Sequence, residues 1–207
     1  MLKARVAVLV SGGGTNLQAI LDAQRAGKIP HAEVVLVVSS RAGAYALERA
    51  AHAGIATAVV QRSDWGDAFE ATLLRILREA QIDLIVLAGF MTILSADFIR
   101  PYEGRILNVH PSLIPAFCGQ GFYGLKVHEA ALRAGVKVTG ATVHFVNEIP
   151  DGGEIIAQKP VEVLEGDTPE TLQRRVMEQA EWILLPQAVE QVGAQLVEKG
   201  VPHDKNN

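Results

Sequence analysis

The sequence predicts an α/β fold: an open, mostly parallel, twisted sheet with helices on both faces and an antiparallel hairpin at one edge. Three observations carry this. Short β-branched runs alternate with stretches of helical periodicity from residue 4 onward, the pattern of βαβ units with right-handed crossovers. The run DLIVLA at residues 83–88 is apolar throughout, as a strand covered on both faces must be. Near residue 150, only a short link with the turn signal Asp151-Gly152-Gly153 separates two strand-like runs, so those strands pair antiparallel.

The elements follow in order. Ala4–Val10 (ARVAVLV) reads as a buried strand entering Ser11-Gly12-Gly13-Gly14-Thr15-Asn16, after which Leu17, Ile20 and Leu21 take helical spacing to about Ala26. Strand, glycine loop and helix suit an anion: glycines admit close approach, and free N–H groups at a helix start face negative charge. Thr15 or Asn16 serving only as a helix cap fits the same residues. Leu17 occupies the third glycine position of a dinucleotide fingerprint, and the second strand ends in Val38-Ser39-Ser40-Arg41 rather than an acid. No Gly-Lys-Ser/Thr is present, so a single terminal phosphate is the better-fitting ligand.

Residues 32–39 form the second strand and 43–53 a helix, with His52 on the surface near its end. Residues 55–60 are a third strand, 67–80 a helix with Phe69, Leu73, Leu74 and Ile76 on its apolar side, and 83–88 a fourth strand. Residues 89–95 (GFMTILS) leave that strand as a packed corner, with Ser95 capping the next helix. After a glycine- and aromatic-rich loop at 116–124, expected to be mobile, 125–134 is a helix with His128 on its surface. Strands at 136–146 and 154–163 flank the Asp151 turn. Asp167, Pro169 and Glu170 signal a helix start, and Pro186 kinks or ends that helix before a continuation through Val197. A single domain at 1–201 and a frayed tail at 202–207 are expected.

At 207 residues the chain is long enough for a substantial core, and 49% hydrophobic with 20% charged residues is ordinary globular composition. A net charge of −4 gives no general attraction to nucleic acid or anionic membrane, and no apolar run is long enough to span a bilayer. Its single cysteine, Cys118, forms no intramolecular disulfide, fits a reducing compartment and reads as a spectator thiol.

Residues 105–115 (RILNVHPSLIP) organise the rest. On a strand, Asn108 and His110 point to one face, with Leu107 and Val109 on the other. An amide that holds a developing oxyanion and an imidazole that moves a proton are the parts of an acyl-transfer site. Two hydrogen-bonded structural residues at a strand end account equally well for the pair.

The run Asn108-Val109-His110-Pro111-Ser112-Leu113-Ile114-Pro115 resembles the N-x-H-P-S-L-x-P signature of the folate-dependent formyltransferases. The chain is also similar to that family at the glycine loop, at 88–95 (A-G-F-M-x-I-L-S), and at V-H-F-V followed by D-G-G. The resemblance implies a Rossmann-like formyltransferase fold whose N-terminal half binds a ribonucleotide and whose C-terminal half carries the folate and catalytic loops. It implies Asn108, His110 and Asp151 as catalytic residues, with Asp151 keeping His110 oriented and charged and His144 as a secondary polar group. Gly14, Thr15, Asn16 and Glu181 are implied for the ribonucleotide, and Met91, Thr92, Ile93, Leu94 and Asn108 for the folate. Gly13 replaces a residue most often Asn in relatives. Thr92 and Gly66 stand where relatives carry Arg, which bears on recognition of the folate's glutamate tail.

Within the family, the glycine loop favours the branch that formylates glycinamide ribonucleotide in purine biosynthesis. The tRNA-directed branch carries an additional C-terminal domain and the deformylases an additional N-terminal one, and neither is expected in this length. The implied reaction uses 10-formyltetrahydrofolate as co-substrate and no metal. It takes place in the cytoplasm, in a monomer or homodimer with small-molecule partners only. Deformylation of the folate, transfer to another small amine, a nucleotide-binding oxidoreductase and a non-catalytic folate-binding protein are the alternatives.

Overall fold

The structure is a computed structural model that describes residues 2–200; the expected tail at 202–207 lies outside the described residues. One seven-stranded sheet runs in the order β3-β2-β1-β4-β5-β6-β7. Its parallel part comprises β1 (Ala4–Val10), β2 (Ala32–Ser39), β3 (Ala56–Val59), β4 (Leu84–Leu87) and β5 (Ile106–His110). The strand β6 (Val138–Phe145) pairs antiparallel with both β5 and β7 (Ile155–Glu162).

The helices are α1 (Thr15–Arg25), α2 (Tyr45–His52), α3 (Arg62–Trp65), α4 (Phe69–Glu79), α5 (Ala96–Ile99), α6 (Leu125–Ala134), α7 (Pro169–Val176) and α8 (Trp182–Glu198). Strand alternation divides the core between the two faces. Val6, Val8 and Val10 of β1 join one buried cluster with Leu17, Ile20 and Leu185, while Ala7 and Leu9 join another with Phe69, Leu73 and Phe98. Strand order reverses at β1 and β4, so their C-terminal ends open a crevice at the topological switch point. The loops leaving them are tied together: the Met91 N–H donates to Ser11 Oγ at 2.9 Å, and Ser11 Oγ lies 2.7 Å from Ser40 Oγ.

Several local expectations are corrected. Gly14, in the left-handed region (φ 71°), is the N-cap of α1, and no side chain caps that helix. A Cβ on Gly14 would lie 2.6 Å from Ala46 Cβ, so close packing of α2 demands glycine there. The short α3 was not anticipated; it holds no buried residue, so no apolar period marks it. Thr168 caps α7 in a reciprocal box with Thr171, in place of the expected Asp167 and Glu170. Pro186 does not end the last helix: it falls inside α8, just after a wide π turn at Met177–Glu181 where the regular hydrogen-bond ladder is already interrupted. His128 is fully buried, because its side of α6 faces the core with Val127 and Ala131.

Candidate active site

The strand β5 delivers the pair its alternation predicted. Leu107 and Val109 enter the core, and Asn108 and His110 face the opposite way at the end of the strand. Antiparallel register sets Asn108 across from His144 and His110 across from Thr142. Beyond the strand, the Ser112-to-Ala116 corner is anchored: Ser112 Oγ donates to the Ala116 carbonyl at 2.6 Å, and Thr142 Oγ1 to the Ser112 carbonyl at 2.7 Å.

Asp151 reaches this pair from the β6–β7 connection. Its backbone is left-handed (φ 56°), and the following glycines let the connection fold back on β6. A Cβ on Gly153 would lie 1.7 Å from the Phe145 carbonyl oxygen, so this position must be glycine. Asp151 Oδ2 lies 3.4 Å from His110 Nδ1 and accepts the Gly119 N–H at 2.8 Å. Its Oδ1 accepts from Asn108 Nδ2 at 3.4 Å and lies 3.6 Å from His144 Nε2. Burial opposes the charge of Asp151, but hydrogen bonding to His144, the His110 charge and the Gly119 N–H outweigh it and hold the carboxyl below its ordinary range.

The two histidines are only 4% and 2% exposed, and both ring nitrogens of each are engaged. His110 Nε2 lies 2.9 Å from the Phe117 carbonyl while Nδ1 faces Asp151, so only the imidazolium donates to both acceptors at once. His144 Nδ1 donates to the Phe145 carbonyl at 2.8 Å, and its Nε2 lies 3.2 Å from Asn108 Nδ2 and 3.6 Å from Asp151 Oδ1. The loop at 116–124 is therefore pinned to the site at Phe117 and Gly119. Both contacts come from backbone groups, which carry no side-chain signature, and sequence reasoning missed them. Cys118 on this loop donates to the Pro115 carbonyl at 3.3 Å, and burial and the Asp151 charge push its thiol up, away from the reactive thiolate.

A cavity of about 130 Å³ opens beside Asn108, His144 and Asp151, walled by Leu87, Phe90 and Val146. Thr92, Ile93 and Leu94 line it, and Ser95 caps α5 through the Phe98 N–H as expected. Met91 does not line it; it is 53% exposed and is held through its backbone by Ser11. The volume is small against roughly 300–1,000 Å³ for a site that encloses a whole ligand, so it has room for only part of a molecule of that size.

On the other side lies the glycine loop. With Gly14 as cap and no capping side chain, the first N–H groups of α1 are left for a ligand. Asn16 Nδ2 donates to Glu181 Oε2 at 2.7 Å, across 165 residues of sequence. Glu181 sits on the π turn and is 6% exposed, and burial raises its carboxyl despite the Asn16 contact. Asn16 Oδ1 is buried without a hydrogen-bond partner among the described residues. Thr15 lines an adjoining cleft of about 640 Å³ between α1 and α8, together with Arg49, a residue that the sequence reading did not single out. Gly66 lies at an exposed turn before α4 and lines neither space. No cluster of His, Cys, Asp or Glu that could hold a metal occurs among the described residues, and no helix there is long and apolar enough to cross a membrane.

Comparison with known proteins agrees with this geometry. The family described as formyl transferase matches residues 4–189. The chain is 43% identical over 177 residues to a phosphoribosylglycinamide formyltransferase of Haemophilus influenzae, covering 84% of this chain and 81% of that one. It is 46% identical to the trifunctional purine biosynthetic protein adenosine-3 of Gallus gallus, covering 96% of this chain but only 19% of that much longer relative. The crystal structure of phosphoribosylglycinamide formyltransferase from Brucella melitensis superposes with a TM-score of 0.84 at 47% identity, covering 93% of this chain and 96% of that one. A switch-point crevice, an Asn-His-Asp cluster at its floor and these likenesses along nearly the whole chain lead to one assignment: this chain belongs to the formyl transferase family.

Proposed function

We propose that this chain transfers the formyl group of 10-formyltetrahydrofolate to the primary amine of 5-phosphoribosylglycinamide, giving formylglycinamide ribonucleotide and tetrahydrofolate in de novo purine biosynthesis. The observation that carries this reading is the position of the Asn108–His110–Asp151 cluster between two dissimilar subsites. One is the small cavity walled by Phe90, Thr92, Ile93 and Leu94, suited to the ring end of a folate. The other is the uncapped glycine loop with Gly14, Thr15, Asn16 and Glu181, suited to a phosphorylated ribose.

The formyl folate supplies an electrophilic carbon whose oxygen gains charge when the amine adds. Asn108 Nδ2 donates to that oxygen, assisted by the His110 imidazolium. The adding amine gives up a proton as its bond to the formyl carbon forms, and the departing folate nitrogen takes one up as its bond to that carbon breaks; His110 relays this proton through water and returns to the imidazolium, which Asp151 holds oriented and charged. The amine is itself the nucleophile, so the chain contributes no covalent intermediate and Cys118 takes no part. The reading needs no nucleic-acid or membrane partner and places a monomer or homodimer in the cytoplasm.

The test is a formyl-transfer assay that follows deformylated folate with and without the ribonucleotide. Turnover that depends on the ribonucleotide is expected. Folate release without it would mean a deformylase, and no release in either mixture would reduce the chain to a binding protein.

A further inference from the structure

A ribonucleotide phosphate brings negative charge to the glycine loop, and the residues so far assigned there provide only N–H dipoles, a hydroxyl and an amide. Helix-start N–H groups offer partial charges, not a full cation. The assigned acid, Glu181, is buried and biased toward its neutral form, so it adds little repulsion; Asp22 and Lys28 also line the adjoining cleft, and Asp22 accepts from Gln18 Nε2 at 2.9 Å. The site as assigned lacks a full positive charge.

Arg49 of α2 has the position and the preparation to supply it. Its Nε donates to the Gly13 carbonyl at 2.8 Å, and its Nη1 to Gln18 Oε1 at 3.0 Å. Its guanidinium carbon lies 5.0 Å from the centre of the Tyr45 ring. These contacts fix the guanidinium against the loop and leave Nη2 without a protein partner among the described residues. Arg49 and Thr15, the first residue of α1, line the same cleft, so an anion on the α1 N–H groups sits in the space that the fork faces.

We infer that Arg49 binds the phosphate of the ribonucleotide substrate, with Gly13, Gln18 and Tyr45 holding its guanidinium in place. This rests on the function proposed above. A planar fork pre-set by three neighbours loses little entropy on meeting a phosphate, and charge-assisted bonds of this kind are the strong ones.

The experiment compares wild type with Arg49→Ala and Arg49→Lys, measuring KM for each substrate, the inhibition constant of inorganic phosphate against the ribonucleotide, and direct binding of ribose 5-phosphate by calorimetry. Arg49→Ala is expected to raise KM for the ribonucleotide roughly 10–100-fold, and the phosphate inhibition constant in parallel, while KM for the folate stays put. Arg49→Lys recovers part of the loss, since it keeps the charge but not the fork. A loss confined to kcat, or equal for both substrates, would show a brace for the loop and overturn the inference. Wild type without ribonucleotide-dependent turnover would instead overturn the proposed function, and ribose 5-phosphate binding, lost or retained in Arg49→Ala, would still decide the role of Arg49.

Discussion

Asn108 and His144 face each other across the antiparallel β5–β6 pair, with Asn108 Nδ2 3.2 Å from His144 Nε2 and 3.4 Å from Asp151 Oδ1. The amide proposed for the oxyanion is thus held by the Asp151 carboxylate only at long range, and a developing negative oxygen competes well for it. Asn108→Ala and His110→Ala are each expected to lower kcat by at least ~10²–10³, the usual cost of one oxyanion donor. Both side chains lie at the crevice rather than in the apolar clusters, so circular dichroism should stay native. Near-wild-type turnover in either variant would remove the mechanism.

Glu181 combines a binding role with a pH signature. Its folded-state carboxyl is raised by burial, so the native protein holds a proton that the unfolded chain gives up above its ordinary value of 4.5. Stability from this group is full below that value and is lost as pH rises through the raised folded value, because there the native state binds more protons. Glu181→Gln cannot ionise and escapes this loss. Its melting temperature should exceed wild type increasingly as pH climbs from 4.5 upward, while its KM for the ribonucleotide rises. A constant gap in melting temperature across that range would show that Glu181 is ionised when folded.

Two glycines make a paired test of the site's backbone. Gly153 cannot carry a Cβ without meeting the Phe145 carbonyl at 1.7 Å, whereas Gly13 has nothing within 4 Å of a Cβ and is not left-handed. Gly153→Ala should lower the melting temperature by several degrees, in line with ~1–3 kcal/mol for overpacking. It should also impair turnover by moving Asp151. Gly13→Ala should leave the melting temperature within about a degree of wild type. Equal melting temperatures for the two variants would mean that the Asp151 connection yields freely.

Much of this was legible in the sequence, for identifiable reasons. Alternation on β5 put Asn108 and His110 on one face, and the short Asp151 turn called for an antiparallel strand, because both depend on periodicity within a few residues. Glu181 was reached only through family resemblance: its contact with Asn16 spans 165 residues and depends on a π turn that no local pattern signals. The Phe117 carbonyl and Gly119 N–H were invisible because every residue has such groups. His128 was misplaced because one polar residue between Val127 and Glu129 reads as surface until α6 is docked.

That buried His128 yields the clearest stability prediction. Neither of its ring nitrogens has a hydrogen-bond partner among the described residues, and burial, with a smaller contribution from the charge of His110, pushes it down to about 4 from 6.5. Between those values the unfolded chain takes up a proton that the native state refuses, so this group removes stability as pH falls from 6.5 toward 4. The full difference is on the order of 3 kcal/mol, reached only at the acid end. His128→Leu removes both the unpaired nitrogens and the titration, and it keeps an apolar helix-former on the buried face of α6. Its urea midpoint should match or exceed wild type at pH 8 and pull further ahead as pH drops through 6 and 5. If wild type instead keeps pace with the variant at pH 5, His128 is being protonated in the folded state and must have a partner for that charge.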